Sequence, residues 1–331
     1  MLIGIIALCL LLGAIVAGAA IGEISIPFST FLKTIANHLF DSGYEVDIFH
    51  SRVIWIWRLP RAVVGACCGA GLAMCGVILQ ALLRNPLAEP YLLGISSGAG
   101  TGAALVTAFG LNLGVLSLST GALAGGLLSF FFVVFLAYHS GRNATAIILA
   151  GIASAMMFNA LTSLILMIFT PLEGRTNMFA WMIGNLSGAR WNDAALAFPV
   201  TLFAFFIFFA FSRVLDAFVF GSRAAASLGI SVKYVSMLLI TTVALVTAVM
   251  VSVMGTISFV GLVVPHAARL IVGVRHRLLI PASAFIGAIF LIAADVVSRI
   301  IMPGLAFPVG IVTALIGAPL FALLLVRQKG N

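Results

Sequence analysis

Hydrophobic residues fill the chain in long blocks, and polar residues mark the gaps. Ten apolar runs are legible, at residues 2–21, about 53–83, 91–109, 114–138, 144–169, 194–211, 234–254, 257–274, 278–298 and 305–326. Their lengths match one helical membrane crossing, which takes about 20 residues. Lipid admits only helices or closed barrels as spanning structures, and these runs lack the alternation of barrel strands. The pattern predicts an all-α integral membrane protein with about ten transmembrane helices in one compact bundle. Residues 1–331 form a single domain in this reading, with an inner loop at about 212–233. The second run is long enough to tilt or protrude. An even number of spans places both termini on one side. The first run has no basic leader and is long for a signal-peptide core, so it reads as a retained span.

Composition removes the soluble alternatives. Of 331 residues, 63% are hydrophobic and 8% charged, and the mean hydropathy is +1.26. A soluble enzyme cannot hide that much apolar surface. The net charge of +8 would suggest nucleic acid only if basic residues clustered. Here they lie singly between apolar runs, so charge orients the chain in the bilayer. With the N-terminus inside, the inner side holds 10 of the 17 Lys and Arg residues, Arg142 and Lys329 among them, and the outer side 7. That is a modest positive-inside vote. Cys9, Cys67, Cys68 and Cys75 sit within apolar runs as small packing residues.

Glycine recurs in small-xxx-small pairs at Gly65/Gly69, Gly98/Gly102, Gly121/Gly125 and Gly184/Gly188, which allow close helix approach. Residues 85–90, Asn-Pro-Leu-Ala-Glu-Pro, interrupt the helical pattern next to the second run. The G-x-S-x-G string at residues 94–98 opens an apolar helix, so Ser96 and Ser97 read as helix caps and not as nucleophiles. No HExxH or Walker A sequence occurs, and no metal site is expected. Asp295 is the one acid clearly inside a run, one turn from Arg299, and reads as a structural ion pair. That argues against a proton-coupled carrier, while sodium sites built from hydroxyls and carbonyls stay open.

Arg58, Arg61 and Arg299 fall at the outer ends of two runs, against the charge bias. They either snorkel at the interface or form a docking surface for an acidic partner. Ser222, Arg223, Ala224, Ala225, Ala226, Ser227, Leu228 and Gly229 make a short Ala-rich helix with a glycine stop. It is either a connector or a lever for an inner partner.

Residues 58–98, Leu149-Ala150-Gly151, Ser227-Leu228-Gly229, residues 259–266, Ala294-Asp295 with Arg299, and residues 308–319 together resemble one family. It is the permease subunit of bacterial ABC importers for iron–siderophore complexes, haem and cobalamin, the FecCD type. The resemblance implies a second permease copy, two ATP-binding cassette subunits that bind ATP and Mg, and a periplasmic substrate-binding protein. No cofactor is expected in this chain and no nucleic acid partner; the surroundings are membrane lipid of a bacterial inner membrane. The resemblance implies docking of the binding protein on Arg58, Arg61 and Arg299, and ATPase coupling through Ser222 to Gly229. It implies an inner gate at Asn85, Leu87, Ala144 and Thr145. Relatives often have an acid where this chain has Ser222-Arg223, and a hydroxyl residue where it has Ala144. Ferric siderophore is the first expected substrate, then haem, cobalamin and a molybdate-type oxyanion. The expectation from another class is an ion-coupled secondary carrier.

Overall fold

The computed structural model describes residues 2–22, 24–110, 117–141, 144–301 and 307–328, with side chains described between residues 4 and 323. Glu23, Arg142 and Lys329, the Arg327 side chain, and the predicted run starts at Gly114 and Leu305 lie outside them. All regular structure among the described residues is helical, with no strand among them. In chain order the helices are α1 (Leu2–Ala20), α2 (Phe28–Phe40), α3 (Ile48–Arg52), a π-helical segment (Val53–Arg58) and α4 (Leu59–Leu83). A 3-10 turn (Pro90–Leu93) leads into α5 (Ile95–Ala108), α6 (Leu118–His139), α7 (Ala144–Phe169), α8 (Leu172–Met182) and α9 (Trp191–Ala210). Then come α10 (Ser212–Phe218), α11 (Ser222–Ser227), α12 (Val232–Met254), α13 (Val260–Val272), α14 (His276–Ile301) and α15 (Val309–Gln328).

Each predicted apolar run falls on a helix. Among the described residues, 6 helices are long and apolar enough to cross a membrane unaided. Helices α5 and α13, at 14 and 13 residues, reach only about 20 Å at 1.5 Å per residue. The hydrocarbon core is about 30 Å thick, so irregular segments complete those crossings. The second span starts earlier than the hydropathy suggests, at Ile48, and runs unbroken through the π-helical segment to Leu83.

Helix α4 is the axis of the bundle. The apolar window of its span is 83% buried, against 17% for α7. Small residues let α14, α9, α12 and α13 all pack on α4. A Cβ on Gly69 would collide with the Gly287 carbonyl of α14, and one on Gly76 with the Gly261 carbonyl of α13. Gly98 and Gly102 of α5 meet Gly125 and Gly121 of α6 in the same way. Two predicted glycine pairs therefore mesh with each other. In the other two, Gly65 meets only side chains at 3.5 Å or more and Gly188 faces open space. Helices α5, α6 and α7 form a layer joined to the axis through α12, while α1 lies outside α14 and α4.

The irregular segments bond to one another inside the bundle. Asn185 N donates to Met254 O at 2.8 Å, and Gly310 N to Gly184 O at 3.1 Å. The Tyr91 hydroxyl donates to Ile257 O at 2.9 Å and accepts from Ile257 N at 3.0 Å. Thr256 Oγ1 donates to Met182 O. Such pairing is required, because an orphaned amide in an apolar interior costs several kcal/mol. The expected serine caps of α5 are replaced by Gly94 at φ 72°. The Ser97 hydroxyl instead donates back to Gly94 O at 2.9 Å. A left-handed residue is what this tight entry needs, and glycine supplies it without strain.

The backbone contacts at α4 give a stability prediction. Gly69→Ala and Gly76→Ala should each lower thermal stability in detergent by about 1–3 kcal/mol, the cost of overpacking. Gly188→Ala, facing open space, should shift the unfolding midpoint little. Equal midpoints for all three variants would contradict α4 as the packing axis.

Candidate functional site

Two regions, at opposite ends of the bundle, carry the charged chemistry. The first forms where α1 ends. That helix has no side chain able to cap its own final carbonyls, and helix ends leave such carbonyls unsatisfied. Two arginines satisfy them. Arg58, the last residue of the π-helical segment, donates from Nη1 to Ala20 O at 2.8 Å and from Nη2 to Ile24 O. Arg299 of α14 donates from Nη1 to Ile21 O and from Nη2 to Gly18 O, both at 2.8 Å. Cations are also favoured at a helix C-terminus by its partial negative charge.

Asp295 ties Arg299 to a third arginine, Arg61. Arg61 Nε and Nη2 each lie 2.7 Å from Asp295 Oδ1. Arg299 Nη2 lies 3.1 Å from Oδ2, one helical turn on. Arg58, Arg299 and Asp295 are 7%, 9% and 1% exposed. Charges this buried persist only when paired and hydrogen-bonded. The Asp295–Arg299 pair read from spacing is present. The three arginines converge, yet their guanidinium groups turn inward onto α1 and Asp295, where an outward cationic surface was expected. Lys33 and Arg52 are the exposed cations nearby in the chain.

Aromatic residues collar this end. Trp191 Nε1 donates to Trp55 O at 2.8 Å, the Arg190 guanidinium sits 3.7 Å from the Trp57 ring centre, and His38 stacks on Trp55 at 4.2 Å. Tryptophan is enriched at membrane–water boundaries, where an apolar ring with a polar edge is best placed.

The second region is built on α10 and α11. Asp216 of α10 accepts from His276 N at 3.0 Å, and the His276 Nδ1 lies 2.7 Å from the same oxygen. This pins α10 to the start of α14. Sequence reading missed the contact; its one signal is that Asp216 is the only acid between residues 194 and 294. Helix α11 starts after Gly221 (φ 105°) and ends as the glycine predicts, with Gly229 at φ 80°. Gly229 N donates to Ala226 O at 2.9 Å and Ile230 N to Ala225 O at 3.2 Å, closing the last turn. Ser222, Arg223, Ala226, Ser227, Leu228 and Gly229 are exposed, Ala224 is half-buried, and Ala225 is fully buried.

Beside it, Arg84 ends α4 with φ 49°. Asn85 Oδ1 then accepts from Leu87 N at 2.9 Å, a local turn that leaves Leu87 exposed. Burial pushes the Glu89 carboxyl up from its ordinary 4.5. At the start of α7, Ala144 is half-buried and Thr145 exposed. Thr145 lines an open groove of about 370 Å³ with Leu136, Ser140, Ala146, Leu149, Ala150 and Ala153.

Comparison with known proteins gives this geometry a family context. Residues 9–327 match the model of the FecCD transport family. The chain is 43% identical over 270 residues to the cobalamin import system permease protein BtuC of Halobacterium salinarum, covering 81% of this chain and 72% of that one. It is 35% identical over 329 residues to the Fe(3+) dicitrate transport system permease protein FecD of Escherichia coli K12, covering 98% and 99%. A solved metal-chelate type ABC transporter in an inward-facing conformation superposes with a TM-score of 0.83 at 30% identity, covering 97% of each chain.

The buried pairing makes a double-mutant prediction. Asp295→Ala leaves the half-buried Arg61 without its carboxylate and should cost about 1–3 kcal/mol of stability. Arg61→Ala added to it removes the stranded charge and should recover part of that loss. Thermal unfolding in detergent measures both, and a double variant no more stable than the single one would contradict the pairing.

Proposed function

The chain belongs to the FecCD transport family, and on that premise we propose that it is the membrane-spanning permease of an ATP-driven importer for a metal chelate. The observation that carries this reading is the exposed face of α11, which packs on α10, itself held against the transmembrane helix α14 by the Asp216–His276 bonds. A protruding short helix fixed to a spanning one is suited to take a push from a partner and deliver it to the bundle. Partner ATPase subunits would bind ATP and Mg and press on Ser222, Arg223, Ala226, Ser227 and Leu228. Ala225 belongs to the inward packing of α11 and only positions that face.

In this reading the α11 end is cytoplasmic, with both termini, in a multi-pass inner-membrane protein. The Arg58 end faces the periplasm. A substrate-binding protein would dock there, its acids competing with Asp295 and the α1 carbonyls for Arg58, Arg61 and Arg299. Helix α7, the least buried of the long spans, is the face offered to a second permease copy. Asn85, Leu87, Ala144 and Thr145 then border the inner mouth of the path between the copies. The named relatives support a metal chelate such as ferric dicitrate or cobalamin as cargo, and we place ferric chelates first. An ion-coupled carrier is disfavoured, because Asp295 is held by two arginines and is not a free proton relay.

The α11 face tests the proposal. Leu228→Glu and Ala226→Trp, both on exposed positions, should leave the chain folded and lower ATP-driven uptake by about tenfold or more, which is about 1.4 kcal/mol of coupling. Uptake is measured in the reconstituted assembly with its ATPase and binding protein. Normal uptake by both variants would make this segment a mere connector.

A further inference from the structure

We propose that α2 is an interfacial helix that lies in the bilayer surface at the Arg58 end, with membrane phospholipid as its partner. The inference is independent of the cargo and of the transport mechanism. At 100° per residue, the apolar residues of α2 other than the terminal Phe40 form one arc. Phe31 takes the side turned to the protein, 3% exposed, and Phe28, Leu32 and Leu39 continue the arc outward at 55%, 53% and 61% exposed. Ser29, Lys33 and Asn37 occupy the opposite side.

Packing fixes the depth of this helix. Phe31 clusters with Ala19 and Ile54, and Val16, Ile35 and Leu59 pack around them. Val16 and Ala19 belong to the last turns of α1, inside its membrane span. So α2 lies beside the end of that span, level with the tryptophan collar. Helix α1 itself presents Ile5, Leu8 and Leu12 outward, the lipid-facing surface of a spanning helix at the edge of the bundle. The open arc of α2 continues that surface.

Charge points the same way. Among the described residues, the acids nearest α2 in the chain lie on the following loop, at Asp41, Glu45 and Asp47, all exposed. That loop folds back on the polar side, where Asn37 exchanges two 2.8 Å hydrogen bonds with the Tyr44 backbone. The apolar arc carries no charge, and Lys33 lies on the polar side, turned to water. An apolar arc bearing Phe and Leu beside a polar one with Lys is the pattern of a helix lying in the interface plane.

Photo-crosslinking in phosphatidylethanolamine–phosphatidylglycerol nanodiscs tests this. A benzophenone side chain placed at Phe28, Leu32 or Leu39 should gain the mass of a phospholipid, as should one at Leu8 as a positive control. At Ser29 or Lys33 the phospholipid adduct should be lost. Hydroxyl-radical footprinting of the unmodified protein is the second readout and needs no substitution. Phe28, Leu32 and Leu39 should be protected in nanodiscs while Phe40 and Tyr44 are oxidised. The proposal is overturned by oxidation of Phe28, Leu32 and Leu39 in nanodiscs. It is equally overturned if their crosslinks go to a second copy or to an added binding protein while Leu8 still captures lipid.

Discussion

Every backbone amide and carbonyl within the hydrocarbon layer needs a partner from the protein itself, and the rest of this structure follows from how that need is met. Continuous helices meet it locally. The chain is not continuously helical at membrane depth, and each interruption has its own remedy. Arg58 and Arg299 reach the last carbonyls of α1. The segment after α8 bonds to the end of α12 and the start of α15. Gly94 O accepts from the hydroxyls of Ser97 and Ser129. These remedies join residues far apart in sequence, and they hold α1, α4 and α14 in one register.

The requirement also explains why charge sits where it does. Burying Arg58, Arg299 and Asp295, with Arg61 half-buried beside them, is costly unless the donors are used. Here the donors serve two ends at once, with carbonyls of α1 on one side and Asp295 on the other. Helix α14 carries this cluster near its last turn and the Asp216 contact at its first residue. One helix thus connects the charged cluster at one end of the bundle, through α10, with the protruding α11 at the other.

Much of the fold was legible because hydropathy records burial in lipid directly. The ten runs, the α11 helix with its Gly229 stop and the Asp295–Arg299 turn all rest on local spacing. What escaped is non-local. Nothing in the spacing of Arg58 shows that it would reach Ala20, 38 residues away, or that Arg61 would meet Asp295, 234 residues away. Residue type left interfacial snorkelling and an outward docking surface open, while the geometry also uses the same groups as internal caps. The short α5 and α13 also escaped, because an apolar loop between glycines has the same hydropathy as helix. Helix α2 was hidden within a polar interval, since Asp41, Glu45 and Asp47 after it mask its apolar arc. The α7 contribution to the site, Ala144 and Thr145, came from family resemblance, and the groove beside Thr145 has no signature in sequence spacing.

In the proposed cycle this chain moves a metal chelate using work delivered by ATP hydrolysis in partner subunits, which transport into proteoliposomes can test. The chain is reconstituted with its cognate ATPase, given the binding protein loaded with a radiolabelled ferric chelate, and supplied with either internal ATP or an imposed proton or sodium gradient. The account predicts uptake that requires ATP, the ATPase and the binding protein together, and that is indifferent to the ion gradient. Uptake driven by an ion gradient in liposomes containing this chain alone would contradict it.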